Sequence, residues 1–136
     1  MRFDSTTRAV LVTSFLALAL ACGAGGGAEG GSDAASTVRT FYDHLNARRY
    51  DDAKALYTEE TRAQIFPDAG AEEGFRNWAV VETHKQGLKE FSIVSETENP
   101  DGITIEFELR FKDGESSQRR VTVSEEDGVW RLGFIG

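Results

Sequence analysis

The stretch Ile103-Thr104-Ile105-Glu106-Phe107-Glu108-Leu109-Arg110-Phe111-Lys112 alternates apolar and polar side chains without a break. Successive side chains of a strand point to opposite faces, so one face here is buried and the other wet. Runs of similar character flank it, and residues 88–98, 103–112, 116–126 and 129–135 read as four strands. Asn99-Pro100-Asp101-Gly102, Asp113-Gly114 and Asp127-Gly128 supply the turns. Connections this short join antiparallel neighbours, which predicts a meander.

Parity of the apolar sets predicts the register. A two-residue loop at Asp127-Gly128 sets Val123 opposite Leu132 and Val121 opposite Phe134. The same loop length at Asp113-Gly114 sets Phe107 against Arg120, which mixes the faces. A bulged loop of Asp113-Gly114-Glu115 instead sets Phe107 opposite Val121 and Glu108 opposite Arg120.

Upstream, the apolar period changes to that of a helix. Val38, Phe41, Tyr42 and Leu45 recur at helical spacing after Ser36 or Thr37 as a cap. Asp51-Asp52 starts a second helix carrying Ala53, Leu56 and Tyr57. Pro67 and Gly70 interrupt the chain, and a third stretch, about 72–85, carries Phe75, Trp78, Ala79 and Glu82. Amphipathic helices followed by a meander they can cover define an α+β two-layer domain over residues 36–136. That length suffices for one core and not two.

Residues 23–35 are nearly all Gly, Ala, Ser and acid, the composition of a flexible tether. A coil of that length reaches roughly 20 Å. Before it, residues 9–21 form an apolar run that is shorter than the roughly 20 residues a spanning helix needs. Such a run with small residues at its end suits a removable signal at 1–21. The only cysteine of the chain, Cys22, follows directly, so no intrachain disulfide can form.

The stretch Leu18-Ala19-Leu20-Ala21-Cys22 resembles the lipobox of bacterial lipoproteins, with Ala19 and Leu20 where that family has Leu and a small residue. The resemblance implies cleavage before Cys22, acylation of Cys22 and a membrane anchor at 22–35. Two or more acyl chains hold a protein stably where one does not. In diderm bacteria the absence of Asp after the cysteine, here Gly23, implies the outer membrane; otherwise the implied address is the outer face of the cell membrane.

The whole chain carries 15 basic and 23 acidic residues. Without Arg2, Arg8 and Asp4 of the signal, 13 basic and 22 acidic residues remain, a net charge of −9. Such a surface repels nucleic acid, which is not an expected partner.

Val38-Arg39-Thr40-Phe41-Tyr42-Asp43-His44-Leu45-Asn46-Ala47, with Tyr50-Asp51-Asp52-Ala53 and Leu56-Tyr57, resembles the opening of nuclear-transport-factor-two-like domains. Asp127-Gly128-Val129-Trp130-Arg131-Leu132 resembles their last strand, and the likeness is to the uncharacterised lipoprotein branch. It implies a curved sheet around a long first helix, leaving a conical pocket. Some members, such as ketosteroid isomerase, are enzymes that use a first-helix tyrosine and an aspartate base. Aligned on Leu45-Asn46-Ala47, those places hold Phe41 and Ile65, with Asp68 a small gap away. Phenylalanine donates no hydrogen bond and isoleucine takes no proton, so the residues point away from catalysis.

His44 and His84 lack ligand spacing, and the paired acids Asp51-Asp52, Glu59-Glu60, Glu72-Glu73 and Glu125-Glu126 lack the pattern of a calcium loop. No metal or cofactor is expected. The aromatic residues fill a core or line an apolar pocket, in which Tyr42, Trp78 and Trp130 would offer polar tips to a ligand. The expected function is binding, of a small apolar ligand or an envelope protein, with a small isomerase- or hydrolase-type enzyme as the rival.

Overall fold

A computed structural model describes residues 32–136; the expected signal, Cys22 and most of the tether lie outside the described residues. Among the described residues, four helices precede four strands. They are α1 (Asp33–Asn46), α2 (Tyr50–Lys54), α3 (Glu59–Ile65) and α4 (Ala71–Thr83), then β1 (Leu88–Asn99), β2 (Gly102–Phe111), β3 (Ser116–Glu126) and β4 (Val129–Ile135). The strands form an open antiparallel sheet in the order β1-β2-β3-β4, which is the expected α+β meander.

Helix α1 starts four or five residues before its expected position, with Ser32 in place of Ser36 or Thr37 as the cap. The Ser32 hydroxyl accepts from the Ala35 amide at 3.2 Å and caps it, while Ala34 and Ala35 bury against the core. Small side chains that read as tether here allow close helix packing. Ala34, Val38, Phe41, Tyr42 and Leu45 line the buried face of α1, which touches every strand. The second expected helix is shorter than its apolar residues suggested. Helix α2 ends at Lys54, and the following Leu56–Thr58 segment leaves the helix to run beside β4. There Thr58 N–H donates to Leu132 C=O and Leu132 N–H to Leu56 C=O, both at 2.8 Å. Helix α3 was not expected; the Thr58 hydroxyl caps it by accepting from Thr61 N–H at 3.0 Å.

The β2–β3 loop has the expected odd length but sits one residue earlier, at Lys112-Asp113-Gly114. Phe111 N–H donates to Glu115 C=O at 2.9 Å, so these two residues close the hairpin. Gly114 takes the left-handed position at φ 93°, where the expected loop would have put Glu115. The register therefore moves by two residues and keeps its parity. Ile105 lies opposite Val121, Phe107 opposite Arg119 and Glu108 opposite Gln118, while Arg120 pairs with Glu106 at 3.0 Å. At the last hairpin Val123 faces Leu132 as expected, but Val121 faces Ile135 rather than Phe134. A bulge at Gly133-Phe134 sets two residues against Thr122 and leaves Phe134 56% exposed. Two more irregularities interrupt β1, between Leu88 and Glu90 and between Ile93 and Ser95.

Gly102 opens β2 at φ 148°, and a Cβ there would lie 2.2 Å from the Val123 carbonyl oxygen. Gly102→Ala is expected to destabilise the domain by about 3 kcal/mol, the upper end of overpacking costs. Gly114→Ala meets nothing within 4 Å and is expected to cost only about 1 kcal/mol, the backbone term alone. Urea denaturation of the two variants checks the difference; equal costs would refute the clash with β3.

Candidate functional site

An aromatic chain runs from the core to the surface. Phe41, fully buried on α1, meets Tyr57 edge-on at 5.2 Å and Trp78 at 6.4 Å. Trp78 stacks on Phe75 at 5.6 Å, and Phe75 meets Tyr57 at 6.2 Å and Phe66 at 5.1 Å. One turn of α4 separates Phe75 from Trp78 and Ala79, which puts all three on one face of the helix, where Trp78 meets Phe41 of α1.

Where this chain of rings reaches solvent it leaves an apolar groove of about 370 Å³. Tyr57, Ile65, Phe75, Trp78, Phe134 and Ile135 line it, with Gly74 and Ala71 opening the α4 side. The β4 bulge creates one wall, because it puts Phe134 and Ile135 side by side at the mouth. The groove holds one polar group from a nearly fully buried side chain. Tyr57 is 2% exposed, and its hydroxyl has no hydrogen-bond partner among the described residues. Burial, and after it the nearby Glu82 carboxylate, push this phenol above its ordinary range, so Tyr57 remains a neutral donor.

Behind Tyr57 lies a buried ion pair. Glu82, on the core-facing side of α4, is 6% exposed and receives Arg119 Nε at 2.9 Å and Nη2 at 3.1 Å. The Tyr42 hydroxyl donates to the same carboxylate at 2.9 Å. Burial, with Glu82 adding to it, keeps Tyr42 protonated far above the usual phenol range, and the Glu82 hydrogen bonds raise Arg119. Arg119 shares the inward parity of Val121 and Val123, and the observed register sets it opposite Phe107. Two charge-assisted bonds from one guanidinium and a third from a phenol satisfy Glu82, leaving it committed to structure.

The three expected ligand contacts separate. Trp78 lines the groove. Tyr42 lies in the core with its hydroxyl on Glu82. Trp130 is half-buried at the last hairpin, paired with Glu125. Phe41 fills the core rather than presenting a donor, and Ile65 lines the groove as an apolar wall. Asp68 is exposed and accepts from the amides of Gly70 and Ala71 at 2.9 and 3.2 Å, where it acts as a turn residue before α4. His44 is half-buried with Nδ1 unpaired, and His84 lies flat against Phe111. Tyr57 is the groove residue that sequence alone passed over. Its place in a short segment beside β4 depends on a nonlocal pairing with Leu132.

Comparison with solved structures gives two useful neighbours. The first is the solution structure of a SEC-C motif-containing protein from Rhodopseudomonas palustris, with TM-score 0.60 and 20% identity. It matches over 78% of this chain and 80% of that one. The second is a Campylobacter jejuni protein described as an NTF2-like transpeptidase, with TM-score 0.59 and 13% identity, over 76% of this chain and 99% of that one. At such identities the likeness is one of fold, and the fold is nuclear-transport-factor-two-like. No curated protein matches the chain. The family model described as a domain of unknown function, DUF4878, matches residues 22–133, and the chain belongs to that family.

Proposed function

We propose that the chain is a lipid-anchored extracytoplasmic binding domain, held to a membrane through acylated Cys22 and taking a small apolar ligand in the groove beside Trp78. The groove carries the reading. Its volume of about 370 Å³ falls in the size range of small-molecule sites, and its lining is largely apolar, with Tyr57 and Trp78 the lining side chains that carry a polar group. A ligand filling it would gain from apolar burial at roughly 25 cal/mol per Å², and one polar atom could accept from Tyr57. The commitment of Glu82 and Tyr42 to each other and to Arg119 favours binding over acid–base chemistry. For the anchor, the support is the lipobox resemblance around Cys22 and the short apolar run before it. Gly23 after the cysteine supports an outer-membrane address in a diderm cell.

Two measurements test the two halves separately. Intact mass of protein extracted from membranes should match residues 22–136 plus acyl chains, and Cys22→Ser should release an unacylated protein. An unmodified soluble mass for the native chain would remove the membrane from the reading. For the groove, a fluorescent apolar probe such as anilinonaphthalene sulfonate should bind the native protein. Trp78→Ala should weaken that binding by roughly tenfold, the scale of one lost aromatic contact surface. Unchanged probe affinity in a folded Trp78→Ala protein would refute the groove as the site.

A further inference from the structure

We propose that His84, Asp113 and Glu115 form a binding site for a divalent transition-metal ion of the zinc class. The three residues come from two separate parts of the chain. His84 ends α4, whereas Asp113 and Glu115 bracket Gly114 in the β2–β3 loop. One donor atom from each lies within 4.8 Å of the others. His84 Nδ1 is 2.6 Å from Asp113 Oδ2 and 4.0 Å from Glu115 Oε2.

Metal–ligand bonds of about 2.0–2.2 Å set neighbouring donors about 3–3.5 Å apart. The site reaches that geometry by opening the short His84–Asp113 contact and drawing in Glu115. Glu115 can move, since its side chain is 75% exposed. His84 cannot move freely. Its ring stacks on Phe111 at 3.6 Å and 11°, so apolar packing outside the cluster fixes where Nδ1 points. Asp113 is held as well, because its Oδ1 accepts the Glu115 amide at 2.9 Å and leaves Oδ2 toward the imidazole.

Among the described residues, neither acid of the cluster is in direct contact with a lysine or arginine. Glu72, Glu82, Glu106 and Glu108 each face a lysine or arginine, whereas Asp113 and Glu115 face only His84. Lys85 and Lys112 line the adjacent cleft with His84 and pair with neither acid among the described residues. An imidazole nitrogen with two carboxylates suits Zn²⁺, Co²⁺ or Ni²⁺ better than Ca²⁺, which takes oxygen donors. Three protein donors leave further positions to water, which makes this an open site. With Nδ1 on the metal, the imidazole proton resides on Nε2.

The test titrates Zn²⁺ into the full chain carrying Cys22→Ser, so that the thiol cannot ligate. Calorimetry should show one saturable site, and amide resonances of His84 and the 112–115 loop should shift. Binding should weaken roughly tenfold or more in His84→Ala and in Glu115→Gln. The second variant removes a donor without touching the Phe111 stack. No saturable Zn²⁺ response, shifts centred on His44, or unchanged affinity in Glu115→Gln would each overturn the proposal. Equal binding of Ca²⁺ would overturn the transition-metal assignment.

Discussion

Replacing Arg119 by methionine is expected to destabilise the domain by about 3 kcal/mol, with Glu82→Gln costing only about 1–2 kcal/mol. The asymmetry follows from burial. Glu82 is 6% exposed, so loss of the guanidinium strands a carboxylate that keeps only the Tyr42 hydroxyl. The Arg119 side chain is 32% exposed and can turn its charge to water once Glu82 becomes an amide. The double variant Glu82→Leu with Arg119→Met removes both charges. It should be more stable than Arg119→Met alone, with Tyr42 losing its acceptor as the remaining cost. Urea denaturation of these three variants and of Glu82→Leu alone closes the cycle. Equal costs for the two single replacements, or strict additivity in the double, would show that the pair is not coupled as the distances imply.

Phe41→Ala should cost about 3–5 kcal/mol, since it removes a fully buried ring and leaves a cavity. Tyr42 and Tyr57 both meet that ring edge-on, at 5.5 and 5.2 Å, and Trp78 approaches it at 6.4 Å. Domains of this size are stable by roughly 5–15 kcal/mol, so the variant loses a large share of its margin. Each kcal/mol lowers the melting temperature of a domain of about 100 residues by about 4–8 °C, a drop easily read by circular dichroism. Phe41→Leu should lose under about 1.5 kcal/mol by keeping most of the volume. Because Tyr57 and Trp78 also line the groove, Phe41→Ala should weaken probe binding while Phe41→Leu largely preserves it. A small loss of stability in Phe41→Ala would mean that the aromatic cluster is loosely packed.

The sheet was legible because its signal is local: alternation along β2, and turn residues between strands whose apolar sets share a parity. The exact pairing was not, since it depended on which residue of the β2–β3 loop takes the left-handed backbone. Weighing Gly114 against Glu115 for that position would have found it. The ion pair left a mark that was legible but not combined. Glu82 falls on the apolar stripe of α4, and Arg119 shares the parity of Val121 and Val123. An acid and a base on two buried faces predict a pair once those faces are known to meet. Trp78 was found at the groove because its helical spacing places it beside Phe75. Tyr57 was not, because a nonlocal bridge sets its position, and a bulge rather than the expected register places Phe134.

The two interruptions in β1 bear on how the molecule behaves in company. An outer strand of twelve residues would ordinarily offer neighbouring molecules a long row of amide and carbonyl groups to pair with. Here breaks at Leu88/Glu90 and Ile93/Ser95 bend that row out of register, and exposed Lys89, Glu90, Glu96 and Glu98 charge it. The opposite margin of the sheet is protected differently, by Leu56–Thr58 pairing with β4 at Leu132 and by the bulge at Gly133-Phe134. Neither margin gives a straight, uncharged template for strand addition, so the fold resists growth into fibrils from both sides.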